Sequence, residues 1–145
     1  CSQSFKVGWQ FFKSLDKRKN IINKSCAIAK EIGLTEYLNS KSENLSYGLQ
    51  RQLEVGLAIA NNPSLLLLDE PTAGMSNEET RSIVAMIKKL SSDYTIIIVE
   101  HDMDVIYSLA KKIYVLDSGN LIFQGTPKEV KQSKLVQDRY IGIKK

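Results

Sequence analysis

An α/β fold built on parallel strands is predicted by three observations. The run Leu65-Leu66-Leu67-Leu68-Asp69-Glu70-Pro71 is apolar until it ends in two adjacent carboxylates, and an Asn62-Pro63 turn signal precedes it. Thr95 to Val99 is a second, β-branched run, closed by Glu100-His101-Asp102. Between the two lies a helix-forming segment, so strands alternate with helices, as in a parallel sheet with helical crossovers. Both runs are therefore predicted to be buried on two faces. Their carboxyl ends are where open α/β sheets place ligands. One carboxylate there can hold Mg²⁺, and the next can orient or deprotonate an attacking water. That is nucleotide-hydrolysis chemistry.

The elements follow in chain order. Residues 1 to 44 read as helical: Ile22, Cys26, Ala29 and Ile32 recur at helical spacing, and Gly33 is placed to stop that helix. Leu45-Ser46-Tyr47-Gly48 comes next, then a helical stretch to about Asn61 that carries Leu53, Leu57 and Ala60, with Ser46 as its N-cap. Asn62-Pro63 ends it and the leucine strand follows. Ser76-Asn77-Glu78-Glu79 is a capping box, opening a helix that buries Ile83, Val84, Ile87 and Leu90 on one stripe. After the second strand, a helix near Met103 to Ala110 leads to Ile113–Leu116. Asp117-Ser118-Gly119-Asn120 then turns the chain into Leu121–Phe123, giving a hairpin. Thr126-Pro127-Lys128-Glu129 starts a last helix, with a cap, a proline at the first helical position and an acid at the third.

Bulk composition narrows the class. The 145 residues make about one domain and are 43% apolar and 25% charged, the balance of a soluble globular protein. The longest apolar runs fall far short of the roughly 20 residues that span a bilayer, and no signal peptide is visible. Cys1 and Cys26 form no metal or disulfide pattern, which fits a reducing compartment. The net charge of +4 arises in the first 44 residues, which hold eight Lys/Arg against four Asp/Glu. A solvated helical face explains this better than nucleic acid or lipid binding. The chain opens on Cys1 and no strand pattern precedes the first motif, so it reads as a piece of a longer protein.

Taken singly, the motifs are weak. An Asp-Glu after an apolar strand is often a plain strand end, a lone His is usually structural, and Ser46 is by itself a helix cap. Their order carries the information: Leu-Ser-x-Gly, then Asp69 and Glu70 23 and 24 residues after Ser46, then the only His 31 residues past Glu70. Over roughly residues 25 to 142 the chain resembles the nucleotide-binding subunit of an ABC (ATP-binding cassette) transporter. Leu45-Ser46-Tyr47-Gly48 resembles the signature, Leu65 to Asp69 the Walker B strand, and Glu70 the catalytic carboxylate. Ala73-Gly74-Met75-Ser76 resembles the D-loop, and His101 the switch histidine. Ser46-Tyr47-Gly48, Ala73-Gly74-Met75, Glu100-His101-Asp102-Met103 and the tail from Gly125-Thr126-Pro127 to Tyr140-Ile141-Gly142 are similar to branched-chain amino acid and urea importer ATPases.

The resemblance implies a partial P-loop NTPase fold: parallel strands flanked by helices, a C-terminal β-hairpin and part of a helical subdomain. Residues 1–62 would be helical subdomain and signature helix, and 63–145 the C-terminal part of a RecA-like ATPase core. It implies ATP as substrate with Mg²⁺ at Asp69, Glu70 as general base, and His101 at the γ-phosphate. Ser46, Tyr47, Gly48 and Gln50 would face a nucleotide held by the opposite subunit, and Gly74 and Met75 would couple the two sites. Implied partners are a second ATPase subunit, membrane permease subunits and, indirectly, a substrate-binding protein, with peripheral location on the cytoplasmic side of the cell membrane. Two positions depart from the family pattern: Leu49 stands where Gln is usual, and Ser76 where Asp or Asn is common. No G-x-x-x-x-G-K-[S/T] loop occurs, and Gln3 and Gln10 lack Q-loop flanks. Without that loop this chain alone is expected to be inactive; and because the family sheet places its P-loop strand between the His101 strand and the next, the chain is expected either to associate with itself through uncovered edges or to rearrange. Two other readings stay open: a non-catalytic half-site module that donates its signature to a partner ATPase, and an ABC ATPase acting on nucleic acid. The transported substrate is not encoded in these residues.

Overall fold

The computed structural model describes residues 19–141, and side chains as far as Arg139. The readings of Cys1, Gln3, Gln10, the rest of the first eighteen residues and Gly142 lie outside the described residues. The described residues divide into two compact units: one formed by the chain as far as Leu67 with Thr72–Ile97, the other by Leu68–Pro71 with the chain from Ile98 onward.

In the first unit, α1 (19–31) ends where Gly33 enters the left-handed region at φ +77°. The Leu34 N–H then donates to the Ala29 carbonyl at 2.7 Å and the Gly33 N–H to Lys30 at 3.4 Å. This is the Schellman arrangement that satisfies a helix's last carbonyls. Burial is confined to the end of α1 and the residues just past it: Ala29, Ile32 and Leu34 are buried, whereas Ile22 and Cys26 are exposed. Short 3₁₀ turns at Thr35–Tyr37 and Ser42–Asn44 lead to α2 (Tyr47–Ile59). Its buried residues are Gly48, Gln52, Val55, Gly56 and Ile59, while Leu53 and Ala60 are half-buried and Leu57 faces water. The reason is local: α1 crosses α2 at Gly56, where an added Cβ would lie 2.4 Å from Ile32 Cδ1. A small residue there lets the backbones close, and the buried stripe turns toward that contact. α3 (Asn77–Leu90) buries Ile83, Met86, Ile87 and Leu90, with Val84 only half-buried.

β1 (Leu65–Asp69) and β2 (Thr95–Val99) form a two-stranded sheet. The Glu70 N–H donates to the Val99 carbonyl at 2.8 Å, which puts both carboxyl ends side by side and makes the pair parallel. The two-faced burial expected of these strands is not found. Leu66 is buried and Leu68 half-buried, while Leu65, Leu67 (71% exposed), Ile97 and Val99 (60% exposed) face solvent. Alternation along a strand sends these residues to the opposite face, which no layer among the described residues covers.

In the second unit, α4 (Met103–Leu109) precedes the antiparallel hairpin of β3 (Ile113–Asp117) and β4 (Asn120–Gly125). Ser118 and Gly119 both take positive φ, +51° and +79°, the signature of a type I′ turn. α5 (Pro127–Gln132) and the short α6 (Lys134–Val136) close the unit. Its core is Ile113, Val115, Val130 and Val136, with Met103, Ile106, Tyr107 and Phe123 packed around them. Arg139 pairs with Asp117, fastening the segment after α6 to the hairpin end. No described helix is long and apolar enough to cross a membrane.

Candidate functional site

Two groups of the expected site residues take shape, one in each unit. In the second unit, β1 delivers Asp69 and Glu70 to its carboxyl end, beside the end of β2. Both carboxylates are exposed. The Glu70 backbone sits at φ +43°, a left-handed conformation that few non-glycine residues adopt, held by the bond of its N–H to Val99. The chain past β2 brings His101 Nδ1 to 3.3 Å from Glu70 Oε1. Asp102 follows as the N-cap of α4, its Oδ1 accepting from Asp104 N–H at 2.9 Å and Val105 N–H at 3.3 Å. That cap fixes the direction in which the chain leaves the sheet and so helps aim His101. Among the described residues no three His, Cys, Asp or Glu side chains cluster as a self-sufficient metal cage. The exposed Asp69 carboxylate at the strand end is a hard oxygen donor of the kind that suits Mg²⁺, which keeps most of its waters and takes one or two protein carboxylates.

In the first unit, Ser46 caps α2, its Oγ accepting from Leu49 N–H at 3.4 Å. Tyr47 is partly exposed, with the Arg51 guanidinium 5.5 Å from its ring centroid and the ring edge beside Gly74. Gly74 takes φ +74°, so the turn at 72–76 needs a residue free of a Cβ. The Met75 N–H donates to the Thr72 carbonyl at 3.3 Å, closing that turn. Gln50 Nε2 donates to the Leu45 carbonyl at 3.1 Å and the Ser42 carbonyl at 3.3 Å. That amide braces the loop ahead of α2.

One participant was not expected from the sequence. Glu79 completes the capping box of α3, its Oε2 accepting from Ser76 N–H at 3.1 Å and Ser76 Oγ at 2.9 Å. Its second oxygen, Oε1, accepts from the Gly48 N–H at 3.1 Å. The Ser76 N–H foremost, then the Gly48 N–H, hold the Glu79 carboxyl below the usual carboxylate range. The cap motif was legible; its reach across 31 residues to Gly48 was not, because the local role already explained the glutamate.

Comparison with known proteins places these groups in context. Residues 9–73 match the family model described as ABC transporter. The high-affinity branched-chain amino acid transport ATP-binding protein LivG of Salmonella typhimurium is 34% identical over 123 residues, covering 83% of this chain and 48% of LivG. The corresponding BraF of Pseudomonas aeruginosa is 37% identical over 114 residues, covering 77% of this chain and 45% of BraF. A crystal structure of the ADP conformation of an ATP-binding cassette of an ABC transporter superposes with TM-score 0.76 at 27% identity, covering 85% of this chain and 50% of that one. CbiO1 of Clostridium perfringens, part of the ABC transporter complex cbiONQ, superposes with TM-score 0.73 at 26% identity, covering 88% and 51%. The chain thus spans about half the length of the curated relatives it matches.

Proposed function

We propose that this chain, similar to the ABC transporter family model and to LivG and BraF, is part of such an ATP-binding subunit and supplies the signature, Walker B and switch residues of an ATPase that drives import across a membrane. The observation that carries this reading is the approach of His101 Nδ1 to Glu70 Oε1, 3.3 Å, at the joined carboxyl ends of two parallel strands. A histidine used only for packing has no need of an exposed carboxylate partner beside a second exposed acid. The same pair speaks against a non-catalytic half-site, which would leave both residues unexplained.

Glu70 holds the attacking water in line and accepts its proton; such a group contributes about 10²–10⁴-fold. His101 donates to the terminal phosphate and registers its departure. Asp69 would hold Mg²⁺, which when bound would supply charge neutralisation to the phosphate groups. Ser46, Tyr47, Gly48 and Gln50 border the nucleotide of the opposite subunit, since the start of α2 presents backbone donors and a positive dipole end. Gly74 and Met75 link the two halves of that composite site. The likeness to LivG and BraF, ATP-binding proteins of branched-chain amino acid transport, supports a branched-chain amino acid as cargo. The subunit works with a second ATPase subunit and membrane permeases, on the cytoplasmic face of the membrane, receiving substrate indirectly from a binding protein. Turnover is assigned to the full-length protein, because these residues contain no G-x-x-x-x-G-K-[S/T] loop.

Replacing Glu70 with Gln in the full-length protein tests the assignment. ATP turnover should fall by about 10²–10⁴-fold while ATP binding, measured by calorimetry, persists. Undiminished turnover would refute it.

A further inference from the structure

Gly48 is crowded from one side. An added Cβ would lie 2.9 Å from Glu79 Cγ and 3.0 Å from both Glu79 Cβ and Oε1. The residue is a glycine at a regular helical position, with no positive φ to demand one. Room for the Glu79 side chain is therefore a sufficient reason for it. Through that gap the Glu79 carboxylate takes the Gly48 N–H at 3.1 Å with one oxygen and the Ser76 N–H and hydroxyl with the other. One carboxylate thus ties the start of α2 to the turn ahead of α3.

We propose that Glu79 is a releasable clasp: it occupies the donor that a nucleotide's terminal phosphate would use, and must let go of Gly48 before that phosphate can bind. The proposal rests on the ATPase reading above and adds to it a residue that signature and D-loop spacing do not mark. The physical case is one of competition. An anionic oxygen already fills the amide, and a phosphate brought to the same N–H meets like charge at close range as well as an occupied donor. Release is local, since Oε2 can stay on Ser76 while Oε1 swings away. The clasp then couples the two motifs: phosphate arriving at Gly48 frees one arm of the residue that caps α3. Glu79 is a positioning residue here, acting on substrate only through Gly48.

The second capping box supplies an internal control. Thr126 and Glu129 repeat the reciprocal bonds of Ser76 and Glu79 at the start of α5, and no role in the site is assigned to Glu129. In the full-length transporter, the MgATP concentration for half-maximal turnover should fall roughly 3- to 10-fold in Glu79→Gln, the difference between a charged and a neutral acceptor. Glu129→Gln, which loses a cap of the same kind, should leave that concentration where it is. An unchanged or raised half-saturation in Glu79→Gln overturns the clasp. Should that variant not fold, Glu79→Asp decides instead, because its shorter reach also frees Gly48 and must lower half-saturation. The failures are separable. Wild-type turnover that vanishes in Glu70→Gln but ignores Glu79 sinks the clasp alone, whereas absent wild-type turnover, or full turnover in Glu70→Gln, removes the reading beneath it.

Discussion

At the scale of single residues, Glu70 shows how this chain trades stability for position. Its left-handed backbone, φ +43°, costs on the order of 1 kcal/mol relative to an ordinary strand end. The strain persists because the N–H is anchored on Val99 and the side chain is turned toward His101. Glu70→Gly should therefore raise unfolding stability by up to about 1 kcal/mol, while turnover in the full-length protein is lost. A lower melting temperature for this variant would show that no strain is stored there. The order Asp69, Glu70, His101 was readable because strand ends and a sole histidine are sequence features. The contact of Glu79 with Gly48 was not, being set by how α2 and α3 meet.

Among the elements, helix starts were the most legible features. Ser46, Ser76 and Thr126 cap α2, α3 and α5 as their side-chain chemistry dictates, each accepting from a backbone N–H three residues on. Buried stripes were less legible, since the partner element chooses them: Gly56 admits Ile32 and turns α2 away from its leucines. The two capping glutamates also predict an acid limb. The Ser76 N–H holds Glu79, and the Thr126 N–H holds Glu129, below the usual carboxylate range. The folded chain therefore binds fewer protons than the unfolded one as pH falls. This stabilisation is fully present above the unfolded value and is lost as pH drops through the folded values, from about pH 5 downward. Glu79→Gln and Glu129→Gln together should flatten the fall in denaturation midpoint between roughly pH 5 and pH 3. An unaltered slope would assign the acid limb to other carboxylates.

At the largest scale, the feature that stands out is the face of the β1–β2 sheet that no layer among the described residues covers. Leu65, Leu67, Ile97 and Val99 form an apolar surface open to water on a chain about half the length of its relatives. Such a surface, with strand edges beside it, promotes association. The 145-residue chain by itself should run as multimers in light scattering at high concentration, without ATP turnover, and Leu67→Lys with Ile97→Lys should shift it toward monomer. A clean monomer for the unsubstituted chain would contradict this. Sequence periodicity could not foretell the open face, because a continuous apolar run reads as buried on both sides wherever its coverings lie.

The hairpin tip offers a practical opening. Ser118 and Gly119 are exposed, and the strands on either side are locked by their own pairing from Ile113↔Gly125 to Asp117↔Asn120. A short tag or fluorophore-bearing insert placed between these two residues lengthens a loop whose closure entropy grows only slowly with length. The tip is thus a mounting point for a reporter that leaves Glu70 and His101 untouched.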